Sequence, residues 1–450
     1  MKPILKEIQT DLNAFDIYSI FKDNKESVLL ESGLKQGDLS RYSYIGINPF
    51  CSFKWQDGVG ELNGVQFKTD GIKYLSELID FYKFKNKTKL PFISGAIGYF
   101  SYDFARSLEE IPNTSEKNVD IPQCYFNLYD NIIIIDNKEK KTYISACGKL
   151  NSKKKSISII ESAILNAKKI ENPIYEEGIE KFNSNFTKDE YLETVEKVRE
   201  YIKSGDIYIT NLTQTFILNT KKSSYETYKK LRHINPAPFS AYMNLDNFSV
   251  VSSSPERFLK IENRIVQTRP IKGTRPRGGN MEEDTKNRLE LLESEKDKAE
   301  LLMIVDLERN DLSKVCKPNS VKVNSLFELE EYSTVYHLSS TIEGELKDEF
   351  NSIDCIKACF PGGSITGAPK IRSMEIIEEL EPTMRSIYTG CIGYLGFEGN
   401  VDLNIVIRTI LMKDDKAYFG VGGGITFESI EEFEYEETLV KAKALMSALS

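Results

Sequence analysis

The first 170 residues contain short apolar runs that are typical of β-strands, and turn signals such as QDG and KTDG separate them. Two helical patterns accompany these runs, at 72–84 and at 151–170. We predict strands at YSYIGI (42–47), AIGYFSY (96–102), NIIIID (131–136) and KTYISAC (141–147).

A polar segment at 171–186 follows and is predicted to be a linker. It divides the chain into an N-terminal region at 1–170 and a second region at 187–450. Strand-like runs recur in the second region, where the turns FEGN and KDDK indicate antiparallel hairpins. The whole pattern predicts an α+β fold, with an antiparallel β-sheet sandwich and helices packed outside.

Three helical patterns stand out in the second region. The first begins at a capping box formed by Thr187 and Glu190, and Gly205 ends it. The other two are longer and lie at about 281–304 and 428–448. Their charged faces carry the first candidates for chemistry.

Composition narrows the class of protein. The 450 residues carry a net charge of -9, which argues against general binding to nucleic acid or to anionic membranes. We find no signal-peptide core and no apolar run long enough to span a bilayer. Seven scattered cysteines without a CxxC pair indicate reduced, mostly buried thiols in a cytoplasmic protein. Only two histidines are present, which excludes a multi-histidine zinc site.

Two carboxylate pairs lie on the long helical patterns. Asp297 and Glu300 are three residues apart, as are Glu434 and Glu437, so each pair shares one helix face. Two such pairs could hold Mg²⁺, which takes one or two protein carboxylates together with waters and substrate oxygens. The alternative is a solvated acidic face on each helix.

Glu256 follows Pro255 at a turn between two strand-like runs. A partly buried carboxyl group there could act as a general acid, or it could form an ion pair with Arg257. The segments PGGSITGAPK (361–370) and FGVGGGITFES (419–429) are predicted to be glycine-rich loops that lead into helix N-termini. Such loops bind anions, although simple tight turns are the alternative.

The segment RPIKGTRPRG concentrates positive charge in an acidic chain. Arg269, Lys272, Arg275 and Arg277, together with Arg408, could bind a small dianion or trianion. A lysine among arginines could be one more anion contact, or it could be an activated amine nucleophile. The residue pattern leaves both roles open.

These motifs, taken in order, resemble the chorismate-utilising enzymes of the component I type. The match covers nearly all of 187–450, and 1–170 matches more loosely through LLESG and RYSYIGINPF. The matching blocks include GDIY, SSSPERFL, TRPIKGTRPRG, AELLMIVDLERNDL, PGGSITGAPK, GVGGGI and EEFEYEETLVKAKAL. The family fold is an antiparallel sheet sandwich with helices outside, in agreement with the pattern.

The resemblance implies roles for individual residues. Glu300 and Glu437 match the Mg²⁺ ligands, with Asp297 and Glu434 in support, and the metal would bind the ring carboxylate of chorismate. Glu256 matches the general acid. Eight residues match positions that hold the substrate: Thr274, Ser364, Tyr388, Arg408, Gly422, Gly423, Gly424 and Lys441. His337 matches a histidine close to the ring.

Within the family, PIKGT resembles the aminodeoxychorismate synthase branch, since the anthranilate synthase branch usually has PIAGT. Lys272 is then expected to attack C2 of the ring as the 4-hydroxyl leaves, after which ammonia attacks C4. This chemistry implies an aminating synthase of the transaminase class that serves 4-aminobenzoate and folate synthesis. Ile209 stands where the family often has glutamine, which argues against water as the nucleophile.

The family also implies partners. A separate glutamine amidotransferase subunit would supply ammonia, because the chain has no Cys-His amidotransferase motif. A tryptophan site is expected near Leu30, Glu31 and Ser32. Two other functions remain open: an anthranilate synthase component I, which aminates C2 and eliminates pyruvate, and a non-enzymatic regulator that binds chorismate or tryptophan.

Overall fold

The computed structural model describes residues 2–33, 38–171, 180–332 and 335–450. The α-helices in these ranges are α1 (Ala14–Phe21), α2 (Gly71–Phe81), α3 (Lys153–Leu165), α4 (Lys188–Ser204), α5 (Ser224–Ile234), α6 (Met281–Glu293), α7 (Glu295–Val315), α8 (Ser352–Cys359), α9 (Lys370–Leu380) and α10 (Glu431–Leu449).

The strands of the N-terminal region are β1 (Ile4–Ile8), β2 (Val28–Glu31), β3 (Tyr42–Gln56), β4 (Val59–Leu62), β5 (Val65–Lys68), β6 (Gly95–Phe100), β7 (Cys124–Asp136) and β8 (Lys141–Ala146). Those that follow are β9 (Asn183–Ser184), β10 (Ile209–Asn219), β11 (Phe239–Asn244), β12 (Ser249–Ser254), β13 (Arg257–Glu262), β14 (Ile265–Arg269), β15 (Ile271–Pro276), β16 (Lys322–Glu331), β17 (Val335–Glu345), β18 (Gly367–Ala368), β19 (Cys391–Gly396), β20 (Val401–Asn404), β21 (Thr409–Lys413) and β22 (Lys416–Ile425).

The strands form one connected antiparallel network, and the isoleucine run of β7 shows how it is layered. Ile132 and Ile134 enter a core built mainly from strand residues. Ile133 and Ile135 point the other way, into a core shared with helices. Because successive side chains of a strand point to opposite faces, a strand between two cores is apolar at every position. The predicted antiparallel sheet with helices outside is confirmed.

Helices cover the outer faces of the sheet in two groups. One core joins α2, α7 and α8 to the strands, and the other joins α1, α3, α5 and α10 to them. Each helix contributes an apolar stripe, such as Leu301 and Val305 on α7 or Ala442 and Leu445 on α10. The acidic residues singled out in the sequence lie close to these stripes, and Glu434 lies on the same buried face of α10 as Ala442.

Strands from the two predicted regions pair with each other across the predicted boundary. β2 pairs with β11, and β6 pairs with β19 along its whole length. The division at 171–186 stays a prediction, and its residues 172–179 lie outside the described ranges. The N-terminal region therefore supplies strands to the same sheet that carries the second region.

The capping signals of α4 are confirmed in detail. Thr187 and Glu190 form both hydrogen bonds of the capping box, and Gly205 ends the helix in the left-handed conformation at φ 87°. The single helix predicted at 281–304 is wrong, because α6 and α7 meet at Ser294. The Ser294 hydroxyl accepts a hydrogen bond from the Asp297 amide at 3.2 Å and so starts a new helix.

The predicted hairpins and the state of the thiols are also confirmed. FEGN connects β19 to β20, and KDDK connects β21 to β22 with Asp414 and Asp415 at φ 52° and 55°. All seven cysteines are free and buried. None of the described helices combines the length and apolarity needed to cross a membrane.

Candidate active site

The glycine-rich run 419–429 forms the floor of the site. The predicted loop is wrong: Gly422, Gly423 and Gly424 lie inside β22, held by β10 through the pairs Gly422↔Thr213 and Gly424↔Asn211. A Cβ atom at Gly424 would lie 3.3 Å from Lys272 Nζ. Because glycine has no side chain, these three residues leave open space on one face of β22, and they do not form a turn.

The Tyr388 ring packs against β22 at another glycine, Gly420, two residues before Gly422. A Cβ at Gly420 would come within 2.4 Å of the Tyr388 ring, so only glycine lets that ring lie flat on the strand. Tyr388 is 8% exposed, and burial raises the pKa of its phenol well above the ordinary value. The hydroxyl is thus a neutral hydrogen-bond group at the working pH of most enzymes.

Lys272 reaches this floor from β15, which pairs with β17. The register shifts between Lys272 and Thr274, where Gly273 adopts φ 77°. A side chain at Gly273 would also meet Leu291 at 2.8 Å and Asp297 at 2.9 Å, so the position requires glycine. Among the described residues, the Lys272 ammonium forms no ion pair and no hydrogen bond.

The arginines beside Lys272 do not form the predicted anion clamp. Each is neutralised by carboxylates of the protein: Arg269 by Glu330, Arg275 by Glu290 and Asp297, and Arg277 by Asp284. The bonds from Arg277 to Asp284 are bidentate, at 2.7 Å each, and they fasten β15 to α6. These arginines hold the strand that presents Lys272.

Arg408 differs from the other arginines because it forms no ion pair in the part of the chain that the structure describes. It lies between β20 and β21 at φ 53°. Burial lowers the pKa of its guanidinium, while the nearby Tyr388 opposes that shift. A buried, unpaired guanidinium is costly without an anion, so Arg408 is suited to bind a carboxylate of a ligand.

The predicted metal residues come together from α7 and α10. Lys441 binds Glu437 at 2.6 Å and also donates to the Gly422 carbonyl at 2.8 Å. Glu434 accepts a hydrogen bond from the Ser429 hydroxyl at 2.6 Å. A Cβ at Gly423 would lie 3.3 Å from Glu434 and 3.5 Å from Glu437, so both carboxylates approach β22 closely.

The electrostatics of these carboxylates suit a cation. Burial raises the pKa of both Glu300 and Glu434. Burial also acts on Glu437, but Lys441, Lys272 and Lys296 outweigh it and hold the pKa below its ordinary value. Proximity to a positive charge thus decides which of the acids ionises readily.

The carboxylates on α7 and α10 fit Mg²⁺, which needs few protein ligands, better than a metal whose ligands all come from the protein. No three His, Cys, Asp or Glu side chains converge on one point within the described ranges. Two helix-borne carboxylates that leave other positions to water and substrate are the usual arrangement for Mg²⁺. Glu300 and Glu437 stay the predicted pair of metal ligands, while Asp297 turns toward Arg275 at 3.2 Å.

Glu256 lies where β12 ends and β13 begins. The ion pair with Arg257 that the sequence left open does not form, because Arg257 binds Asp402 at 2.9 and 3.0 Å. Burial raises the pKa of Glu256, while Ser364, Lys272 and Lys441 oppose the shift. A buried carboxyl with a raised pKa keeps its proton longer, as a general acid must.

Two further predicted residues, Ser364 and His337, are buried close to these groups. The Ser364 hydroxyl is buried, and its interaction with Glu256 is the largest of the effects that oppose the rise in the pKa of that carboxyl. His337 Nδ1 lies 2.9 Å from the Thr274 hydroxyl. Burial and the charges of Arg408 and Arg269 lower the pKa of His337 to about 4, so its ring is neutral near pH 7.

Sequence reasoning missed two residues at this site. Lys296 lies between the acidic faces of α7 and α10, and its place four residues before Glu300 was the available signal. Glu308 is buried beside Thr268, two helical turns beyond Glu300. Nothing in the composition of α7 distinguishes Glu308 from its exposed acidic neighbours.

A separate cavity of about 410 Å³ lies at the predicted tryptophan position, bordered by Leu30, Glu31 and Ser32. Glu31 is fixed by Arg232 at 2.6 and 2.7 Å and by the Tyr228 hydroxyl at 2.8 Å. The cavity is therefore built from both regions of the chain and lies apart from Lys272.

Residues 26–447 match the chorismate binding enzyme family, and the chain belongs to that family. Aminodeoxychorismate synthase component 1 of Bacillus subtilis (strain 168) is 36% identical, over 100% of this chain and 97% of that protein. Anthranilate synthase component 1 of Acetivibrio thermocellus is also 36% identical, over 99% and 95%. The crystal structure of anthranilate synthase component I from Streptococcus pneumoniae TIGR4 superposes with a TM-score of 0.81 at 32% identity, over 91% of this chain and 93% of that one. The resemblance is confirmed at the level of the family, while the relatives divide between two products at similar identity.

Proposed function

We propose that the chain is an aminodeoxychorismate synthase component I, which converts chorismate and ammonia into 4-amino-4-deoxychorismate and water. The observation that carries this proposal is the position of Lys272. Its amine lies over the glycine floor beside Gly424 and near the carboxylates of Glu256, Glu300 and Glu437, yet it forms no ion pair with any described residue. A lysine used only to stabilise the fold would be expected to pair with one of the nearby carboxylates.

The proposed chemistry proceeds in two displacements. The Lys272 ammonium first releases a proton to solvent. The neutral amine then forms a bond to ring C2, the ring double bond shifts, and the 4-hydroxyl leaves as water with the proton of Glu256. Ammonia then bonds to C4, the double bond shifts back, and the lysine nitrogen leaves C2. The surplus proton of the ammonia nitrogen returns to the Glu256 carboxylate, so the enzyme is restored.

Other residues would bind and orient the substrate. Mg²⁺ held by Glu300 and Glu437 would supply positive charge to the ring carboxylate. Arg408 and Lys441, with backbone amides of the glycine strand, would hold the enolpyruvyl carboxylate. Neutral His337 would border the ring through its bond to Thr274.

A separate glutamine amidotransferase would deliver the ammonia. All seven cysteines are buried, so none is placed to attack glutamine. The product would serve as the precursor of 4-aminobenzoate and hence of folate. We further propose that the cavity of about 410 Å³ beside Ser32 is the tryptophan site implied by the family.

Anthranilate synthase component I is the second candidate, since relatives of that name are equally similar. Incubation with chorismate, ammonium and Mg²⁺, followed by product identification, separates the two. Retention of the enolpyruvyl group with a 4-amino group supports the proposal, whereas anthranilate with pyruvate supports the alternative. Unchanged chorismate would favour a binding protein.

Lys272→Arg provides the sharper variant. It keeps a positive charge but presents no neutral amine, so the proposed covalent step should fail. Loss of kcat with a nearly normal KM is expected. Formation of 4-amino-4-deoxychorismate at the parent rate would show that Lys272 is only a cation in the cavity.

A further inference from the structure

One positive charge lies between the acidic faces of α7 and α10 and has no part in the chemistry above. Lys296 Nζ is 3.9 Å from Glu300 Oε1 and 3.9 Å from Glu434 Oε1. Its charge also acts on Glu437, whose pKa it helps to lower. Lys272 and Lys441 also act on some of these carboxylates, but the charge of Lys296 acts on Glu300, Glu434 and Glu437 alike.

The three carboxylates need such a charge before any metal arrives. Glu434 is 5% exposed, and the side chain of Glu300 is 12% exposed, so both are poorly hydrated. Buried like charges repel each other and favour separation of the segments that carry them. The side chain of Lys296 is 50% exposed, and its flexible stem can withdraw into solvent.

We propose that Lys296 is the resident counter-ion of this site: its ammonium holds the carboxylates of α7 and α10 together in the metal-free enzyme and leaves when Mg²⁺ binds. The inference deepens the proposed function and rests on it for the identity of the metal. The lysine and the metal compete for the same negative charge, so Lys296 weakens Mg²⁺ binding while it preserves the geometry of the empty site.

The matched control is Lys298, on the same turn of α7. Lys298 pairs at 3.0 Å with Glu295, whose side chain is 88% exposed, and therefore points away from the metal position. Lys296→Met and Lys298→Met remove the same charge from the same helix. Only the first removes it from the carboxylate cluster.

The first measurement is hydrogen exchange in EDTA, which involves neither metal nor substrate. Amides in the first turns of α10 (431–437) should exchange about three- to tenfold faster in Lys296→Met than in the parent or in Lys298→Met. Addition of Mg²⁺ should restore their protection in Lys296→Met. Equal exchange of all three proteins in EDTA would overturn the proposal, and so would faster exchange that Mg²⁺ fails to reverse.

The second measurement is the concentration of MgCl₂ that gives half of the metal-induced protection against thermal unfolding. We expect this concentration to fall about tenfold in Lys296→Met, which corresponds to about 1.4 kcal/mol. An unchanged or higher value would mean that Lys296 does not compete with the metal. Absence of any Mg²⁺ effect on the parent would count against the proposed function. The rate of hydrogen exchange in EDTA would still decide whether Lys296 holds α7 and α10 together.

Discussion

Replacement of Glu308 by glutamine should stabilise the protein above pH 5. The Thr268 hydroxyl lies 2.8 Å from Glu308 Oε2 and 2.9 Å from the Phe258 carbonyl oxygen. Thr268 is the donor toward both oxygens, so its one proton is shared between the Phe258 carbonyl and Glu308. The side-chain oxygen of a glutamine could accept from Thr268 in the same way.

The charges around Glu308 agree with a neutral acid. The pKa of Glu308 is raised to about 8, mainly by burial and also by the charges of Glu256 and Asp311, against the opposing hydrogen bond from Thr268. Lys370 opposes the shift, but its ammonium already binds Asp311. The nearest positive charge is therefore largely committed to another carboxylate.

The magnitude follows from linkage between protonation and folding. The pKa of Glu308 is higher in the folded state, so its stabilisation is complete below pH 4.5 and is lost as the pH rises toward about 8. Each pH unit in this window costs about 1.4 kcal/mol, which gives an advantage of about 3 kcal/mol for Glu308→Gln at pH 7. At pH 4.5 the two proteins should be nearly equal.

Urea denaturation followed by circular dichroism at pH 5, 6, 7 and 8 measures this difference. Asp311→Asn is the control, because it breaks ion pairs with Lys314 and Lys370 and should destabilise the protein at each of these pH values. A stability difference between Glu308→Gln and the parent that does not change with pH would refute the assignment of a buried proton to Glu308.

Three other predictions concern the site directly. Glu300→Gln or Glu437→Gln should lower the Mg²⁺-dependent rate at least a hundredfold, and full turnover of the parent in excess EDTA would contradict the metal role. Gly424→Ala should raise KM for chorismate and lower kcat, because the new methyl group would lie 3.3 Å from Lys272 Nζ and 3.1 Å from Ile209; normal kinetics would show that the substrate does not enter this space. The purified chain should form product with ammonium but not with glutamine, and glutamine-dependent turnover by the chain alone would remove the need for a second subunit.

The features that the sequence predicted well are decided by local interactions. The capping box at Thr187 and the left-handed Gly205 involve neighbours within a few residues, so α4 could be placed closely. The hairpin at Asp414 and Asp415 is local in the same sense. The apolar run at 132–135 identified a strand but not its layer, because burial on both faces depends on elements distant in the chain.

The wrong predictions arose where distant partners decide the outcome. The glycines at 422–424 resemble an anion-binding loop when taken alone, yet pairing with β10 makes them a strand. The arginines flanking Lys272 resemble an anion clamp until α6, α7 and β16 supply their carboxylates. The break at Ser294 was within reach, since a serine three residues before an aspartate is a common helix start.

Pairing of the arginines explains how an acidic chain can offer a site to a dianion. Negative charge is concentrated on α7 and α10, at Glu300 and Glu437, while the unpaired positive charge is on the sheet side, at Lys272 and Arg408. A molecule with two carboxylates between these surfaces would face a cation site on one side and Arg408 on the other. Its orientation would then follow from the separation of charge rather than from total charge. If Glu300 and Glu437 hold Mg²⁺ as proposed, the bound ion would add positive charge on the helix side and so complete the binding of such a ligand.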